Sequence, residues 1–303
     1  MKQKHLLSLG EYSRAEIEEI FELARKVKAR PADYRDALKG KSLGMIFQKP
    51  STRTRVSFEV GMFQLGGLAL FSGLESIQIG RGETVADTRQ GPLALRGRHH
   101  GARVRAPGRG GPGAPRRRCR SSTASSDLLH PCQALADSSR CCERRGRLDG
   151  AKLAYVGDGN NVCHALMLGA VKLGVAMSVA SPNGYQPNPL ILKSAVRDAQ
   201  KEGTPPPVVT ADPMEAVKGA DVVSHGRVDV DGPGVGDARP ACSAFQGFMV
   251  TPAMMAAAAH GRRLHALPAG APGGTRWRRR WWTARSRSSS TRRRTACTSR
   301  RRC

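Results

Sequence analysis

Three hydroxyls and two guanidinium groups fall within five consecutive residues, Ser51-Thr52-Arg53-Thr54-Arg55. The run is entered from the apolar Leu43-Gly44-Met45-Ile46-Phe47 and from Lys49-Pro50, and it leads into Val56-Ser57-Phe58-Glu59-Val60. The first flank has the length and apolarity of a buried strand and the last begins a helical pattern, so the pentad forms a strand-to-helix turn. A helix N-terminus presents N–H groups without partners in the helix, at the positive end of the dipole, which suits a phosphate. Hydroxyls add donors there, and arginine adds planar bidentate pairing to phosphate oxygens. A capped helix with solvated arginines would need one hydroxyl only. The density of donors points to an anion site.

Two further groups carry chemistry. His130-Pro131-Cys132-Gln133 sets an imidazole and an amide three residues apart, one able to polarise a carbonyl and the other to donate and accept; alone, His130-Pro131 also reads as a capped turn. Gly157-Asp158-Gly159-Asn160-Asn161 follows the strand-like Leu153-Ala154-Tyr155-Val156. It has the outline of a dinucleotide turn but lacks the third glycine and the acid that would hold a ribose.

The elements that must position these groups are regular. Ser13-Arg14-Ala15-Glu16 has capping-box form, and Ile17, Ile20, Phe21, Ala24 and Val27 follow at helical spacing. Strand Leu43–Phe47, helix Thr52–Leu65 and strand Leu68–Phe71 make a βαβ unit, which places the pentad at the carboxyl end of a strand. A second α/β series runs through strand 153–156, helix Asn160–Leu173, strand Val175–Val179 and a loop at Ser181–Pro189. Helix Leu190–Glu202, strand Val208–Thr210, helix Pro213–Val217 and strand Asp221–Val223 continue it. The fold class is therefore α/β, with two Rossmann-like domains of parallel sheet, residues 1–135 and 136–303, joined near Ala134–Arg147, and the site in the cleft between them.

The formal charge of +26 over 303 residues would suggest a nucleic-acid partner. Its distribution argues otherwise. Arg89–Ser126 holds ten arginines and Ala238–Cys303 fifteen, with no lysine and no acid in either, so the remaining residues are close to neutral. Neither stretch has a helical or strand period, and segments 92–125, 138–145, 224–243 and 261–303 are expected to be irregular, unable to bury enough surface to offset their ordering entropy. No specific nucleic-acid partner is expected, although a polyanion-binding role for the arginine tracts is the reading from a different class. Eight cysteines show no Cys-x-x-Cys and no zinc-like spacing. Cys163-His164 is a metal pair by residue type only, and packing on a helix face is the expected role. Leu6-Leu7 is too short an apolar run for a secretory signal, and no stretch is long enough to cross a membrane, so the expected location is cytoplasmic.

The pentad with its Phe47-Gln48-Lys49-Pro50 lead-in resembles the carbamoyl-phosphate loop of the aspartate/ornithine carbamoyltransferase family. The resemblance continues at Gln78-Ile79-Gly80-Arg81-Gly82-Glu83, at His130–Gln133 and at Gly157–Asn161, in family order. It covers roughly residues 1–91, 126–137, 146–223 and 244–260, and the lysine before the pentad and the Gly-Asp-Gly-Asn-Asn turn are of ornithine type. It implies carbamoyl transfer from carbamoyl phosphate to the side-chain amine of L-ornithine, giving citrulline and phosphate, with no cofactor and no metal. Aspartate or a diamine is the alternative acceptor. Ser51, Thr52, Arg53 and Thr54 map onto the phosphate cradle, His130 and Gln133 onto the groups facing the carbamoyl carbonyl and amide, and Arg53, His130 and Gln133 onto the catalytic set. Gln78 maps onto a carbamoyl-phosphate position contributed across a subunit boundary, which implies a homotrimer or a multiple of one. Asn161 maps onto an ornithine-contacting amide.

Three elements of the family pattern are missing: an arginine in a Met-Ala-Arg segment near 100–105, an Asp-x-x-x-Ser-Met-Gly segment near 229–236, and a His-Cys-Leu-Pro cysteine, where His265-Ala266-Leu267-Pro268 has alanine. All three gaps fall in the arginine-rich or irregular segments. A shifted reading frame would account for this. His225–Pro233 back-translates as CAC GGA CGT GTG GAC GTC GAT GGG CCA, which from its second base reads Thr-Asp-Val-Trp-Thr-Ser-Met-Gly. The same offset permits Arg-Tyr-Val-Asp-Ala-Ile-Met-Ala-Arg through Ala94–Arg103 and Met-His-Cys-Leu-Pro-Ala-His through His265–Pro272. The other offset permits Val-Pro-Val-Ile-Asn-Gly-Leu through Arg118–Ser125. Synonymous codons leave freedom at every position, so one match means little; four, in order and in place, mean more. On this reading the literal chain is impaired.

Overall fold

The Ser13 capping box forms as its sequence predicts. In a computed structural model that describes residues 5–47, 51–73, 98–102, 120–226, 244–258 and 263–266, Ser13 Oγ accepts from Glu16 N–H at 3.3 Å and Glu16 Oε2 accepts from Ser13 N–H at 3.1 Å. Helix α1 (Arg14–Ala29) follows and buries Ile17 and Phe21.

The apolar run before the pentad is strand β1 (Ser42–Phe47), buried throughout. Helix α2 (Thr52–Gln64) and strand β2 (Leu68–Gly73) complete the βαβ unit, with Leu43, Met45, Phe47 and Met62 forming its core. Strands β3 (Arg98–Ala102) and β4 (Arg120–Ser125) extend the sheet in the order β2-β1-β3-β4, every pairing parallel. Helix α3 (Pro131–Arg145) then leads to the second sheet, and Arg145 ties its last turn to Asp221 at 2.8 Å.

The second sheet comprises β5 (Lys152–Val156), β6 (Ala176–Ala180), β7 (Val208–Thr210), β8 (Val222–His225) and β9 (Arg263–Ala266), in the order β7-β6-β5-β8-β9 and again all parallel. Between its strands run α4 (Asn161–Lys172), α5 (Pro189–Glu202), α6 (Pro213–Val217) and α7 (Pro252–Ala257). Helix α4 is apolar on nearly every side, and its residues from Cys163 to Val171 are all buried. They share one core with Ile17, Phe21, Tyr155 and Val179, so the first helix of the chain packs on the second sheet.

Both sheets reverse their strand order beside their first strand, at β1/β3 in one and at β5/β8 in the other. In open parallel sheets ligands bind outside the carboxyl ends of the strands at such switch points. The pentad follows β1 and the Gly157–Asn161 turn follows β5. Each motif thus sits at the switch point of its own sheet.

The expectation of irregular structure in the acid-free and flanking segments is corrected at four places. Arg98–Ala102 and Arg120–Ser125 are strands, helix α3 runs through residues 138–145, and Arg263–Ala266 pairs with β8. The physical reason is that a parallel ladder is made by backbone N–H and C=O groups, which every non-proline residue supplies. The rest of segments 92–125, 224–243 and 261–303 lies outside the described residues, apart from Ser224 and His225 in β8 and Gly226 after it.

Candidate functional site

Ser51 is the residue before the first turn of α2, and its hydroxyl donates to Thr54 Oγ1 at 2.9 Å instead of capping the helix. Among the described residues every other α-helix has a capping side chain, from Ser13, His130, Asn160, Asn188, Asp212 and Thr251. The first-turn amides of α2 are therefore not taken up by a side-chain cap, and Thr52, Arg53 and Thr54 stand in that turn. The two arginines divide. Arg55 pairs with Glu59 at 2.9 Å and lies over the Phe71 ring at 3.8 Å from its centroid, which fastens α2 to β2. Arg53, two residues earlier, makes neither contact. Gln78 lies outside the described residues.

His130 caps α3 in an unusual way. Its Nδ1 accepts from Gln133 N–H at 3.3 Å, with Pro131 in the first turn where no N–H is needed. An accepting Nδ1 has no proton, so the neutral ring carries its proton on Nε2. Burial pushes the His130 pKa below its ordinary value, against a smaller opposing effect of Asp137, and this favours the neutral ring. Gln133 Nε2 donates to Asp137 Oδ1 at 3.1 Å, one turn along the helix, which turns the amide so that Oε1 is its acceptor face. The pair thus offers one donor, His130 Nε2–H, and one acceptor, Gln133 Oε1.

His130 and the pentad share an edge of the first sheet. β1 and β4 flank β3, so their carboxyl ends are about 10 Å apart at the usual strand spacing. The second sheet meets this edge through Asn161. Its main-chain oxygen accepts from His130 N–H at 3.2 Å, and its side-chain amide donates to Ser125 Oγ at 3.2 Å and to Ser126 O. The turn that presents Asn161 is held from beneath. The Tyr155 hydroxyl, fully buried, donates to Asp158 O at 2.9 Å, and Asn160 Oδ1 accepts from Val162 N–H at 3.0 Å. Gly157 takes φ 133°, and a side chain there would meet Gly226 O at 2.7 Å.

The structure therefore brings His130, Gln133 and Asn161 together and puts Ser51–Thr54 on the same sheet edge as His130. Sequence reasoning missed Tyr155 and His164. A tyrosine on a buried strand immediately before a glycine turn is a usable signal, because its hydroxyl must find a partner. His164, expected only to pack, is 5% exposed and has both ring nitrogens engaged, Nδ1 with Leu128 O and Nε2 with Asn188 N–H, each at 2.8 Å. Its neighbour Cys163 is buried, and burial pushes its thiol pKa up. Cys132 is likewise pushed up, to about 11. Both stay protonated thiols at neutral pH.

The chain is similar to known proteins over most of its length. Residues 4–143 match the carbamoyl-P binding domain of aspartate/ornithine carbamoyltransferase, and residues 149–271 match its Asp/Orn binding domain. The chain is 45% identical over 231 residues to an ornithine carbamoyltransferase of Anoxybacillus flavithermus, covering 74% of this chain and 71% of that one. It is 43% identical over 278 residues to one from Symbiobacterium thermophilum, covering 89% and 87%. The solved ornithine carbamoyltransferase of Pyrococcus furiosus superimposes with a TM-score of 0.78 at 36% identity, over 88% of this chain and 85% of that chain.

Proposed function

This chain belongs to the aspartate/ornithine carbamoyltransferase family, and from that premise we propose that its site is built to move the carbamoyl group of carbamoyl phosphate onto the side-chain amine of L-ornithine, giving L-citrulline and phosphate. One observation carries the reading: the two motif turns stand at the switch points of two parallel sheets whose carboxyl edges are joined by the His130–Asn161 hydrogen bond.

The chemistry follows from the groups present. The uncapped first turn of α2, with Ser51, Thr52, Thr54 and Arg53, receives the phosphate and its departing charge. His130 Nε2–H donates to the carbamoyl oxygen, whose negative charge grows as the amine attacks, so the bond is strongest in the transition state. Gln133 Oε1 accepts from the carbamoyl amide and fixes its plane. The unprotonated amine forms the new C–N bond as the C–O bond to phosphate breaks. Asn161, its amide nitrogen committed to Ser125 and Ser126, has Oδ1 left to accept from ornithine. Residues 1–135 are assigned to the carbamoyl-phosphate side and 136–303 to the ornithine side, with α1 sharing the core of the second. Gln78 completes a neighbour's site in a cytoplasmic homotrimer, which sedimentation would test; no helix among the described residues is long and apolar enough to cross a membrane.

We propose further that this chain carries shifted frames. Strand β3 lies between β1 and β4, the setting of an apolar central strand, yet reads Arg98-His99-His100-Gly101-Ala102. One base on, the codons spanning 98–103 permit Ala-Ile-Met-Ala-Arg, an apolar strand that ends in an arginine at the carboxyl edge beside the pentad. At the other sheet Ala266, standing where the family pattern has cysteine, is the last residue of β9. A citrulline assay on this chain and on a frame-restored one tests both points. The expected result is no measurable citrulline from the first and turnover from the second. Equal turnover would overturn the frame account, and no turnover from the restored chain would overturn the assignment of the reaction.

A further inference from the structure

His130 is the first helix-capping residue after a turn that is closed on itself. Ser126 N–H donates to Leu129 O at 2.7 Å, and the Ser126 hydroxyl donates to Leu129 O at 3.1 Å while accepting from Leu129 N–H at 2.9 Å. Such a turn moves as a unit, so whatever holds it sets where the His130 ring points. Helix α4 holds it at two levels one turn apart. Asn161 grips Ser125 and Ser126 by its side chain and His130 by its main chain; three residues on, His164 reaches Leu128.

His164 also has a second partner. Nε2 accepts from Asn188 N–H at 2.8 Å, and Leu128 O can only accept, so Nδ1 carries the proton and the ring is neutral. Asn188 is the residue before α5, and its side chain caps that helix by accepting from Leu190 N–H at 2.9 Å. The segment leading to it is seated on the glycine turn, with Gly159 N–H donating to Tyr185 O at 2.8 Å. A single imidazole therefore spans from the loop that bears His130 to the loop that backs the Gly157–Asn161 turn.

We propose that His164 is a positioning residue that fixes the orientation of His130 by tying the Ser126–Leu129 turn to the 185–188 loop. The proposal rests on the reading of His130 as the group that meets the carbamoyl oxygen. A neutral ring with both nitrogens used is a rigid spacer between two backbone groups, since the two bonds determine its tautomer and its plane together. Loss of either bond frees the turn to rock about its Asn161 contacts, and the His130 ring with it.

The test uses the full chain with nitrogen-labelled histidine. In the wild type the His130 ring should show a fixed tautomer, Nδ1 bare and Nε2 protonated. His164→Leu fills a similar volume without either hydrogen bond, whereas His164→Gln has one donor and one acceptor and can restore both. Expected results are tautomer averaging of His130 and weaker carbamoyl phosphate binding in H164L, by about tenfold, the equivalent of one hydrogen bond, with H164Q close to wild type. A second pair avoids the core altogether. Asn188 has φ −55°, which proline tolerates, so N188P deletes the N–H that reaches His164 while N188A keeps it, and both lack the helix cap. N188P should disturb the His130 signals beyond N188A. Unchanged His130 signals in a folded H164L, or identical signals in N188P and N188A, would overturn the proposal. Shifted signals with unaltered carbamoyl phosphate affinity would support it and would instead count against the role given to His130.

Discussion

Replacing His130 separates two jobs that one ring performs. Nδ1 caps α3 through Gln133 N–H, and Nε2–H is the donor proposed to meet the carbamoyl oxygen. His130→Ala removes both. The lost cap should cost about 1 kcal/mol, toward the low side of the usual range because the bond is 3.3 Å long. In a domain of this size that lowers the melting temperature by about 2–4 °C. His130→Asn keeps a short acceptor in the capping position, where asparagine is among the strongest N-caps, so most of that stability should return. Neither variant reaches the carbamoyl group. Both should lose about 10²–10³-fold in kcat, the usual effect of removing one oxyanion donor. Stability is read by urea unfolding followed by circular dichroism on the chain itself, and kcat by citrulline release from the frame-restored chain. An alanine variant as stable as wild type would refute the capping argument. An asparagine variant with wild-type turnover would refute the chemical one.

In the frame-restored chain Arg53→Ala should weaken carbamoyl phosphate binding by about 1.5–3 kcal/mol, as loss of a charge-assisted bond, whereas Arg55→Ala, which breaks the Glu59 and Phe71 contacts, should cost stability of about 0.5–1 kcal/mol and leave the affinity in place; calorimetric titration of both variants checks the division. Gly159→Ala would bring a methyl group within 2.8 Å of Pro187 Cα, against backbone that cannot rotate away, and should destabilise by about 1–3 kcal/mol in urea unfolding. Burial lowers the pKa of His130, His164 and His225 below the ordinary 6.5. The unfolded chain then binds protons that the folded chain refuses. Stability should be full above about pH 6.5 and should fall as the pH drops from there toward the lowered folded values; a flat unfolding midpoint across that window would count against three neutral imidazoles.

Much of the fold was legible because its elements announce themselves locally. The capping box starts α1, and the apolar runs 43–47 and 153–156 are strands to within one residue. The glycine turn and the pentad could be placed at strand carboxyl ends from order alone. What the sequence could not reveal depends on partners far along the chain. Helix α4 is so thoroughly apolar that a histidine inside it carries no periodic signal, and its bonds to Leu128 and Asn188 exist only once the loops 126–130 and 185–188 are folded against it. The two arginines of the pentad are alike in sequence, and the fold gives Arg55 the Glu59 carboxylate and the Phe71 ring that β2 delivers beneath it.

The segments expected to be irregular make a separate point about what composition controls. Strands β3 and β4 and the second half of α3 form from residues with no suitable pattern, because backbone hydrogen bonding and the register set by neighbouring elements suffice to place them. Side-chain packing is less forgiving. Where α3 passes through residues 138–145, a partly open pocket of about 30 Å³ lies between Ser138, Cys141, Leu148, Leu166, Leu173 and Val175. In sequence, β3 is likewise at odds with its place between two strands, since it reads Arg98-His99-His100-Gly101-Ala102. A polypeptide that evolved these segments for a polyanion would have had no reason to thread them through the sheet at family strand positions. Both facts are what the proposed shifted frame would produce, since it alters side chains wholesale and leaves the number of residues between the surviving motifs nearly unchanged.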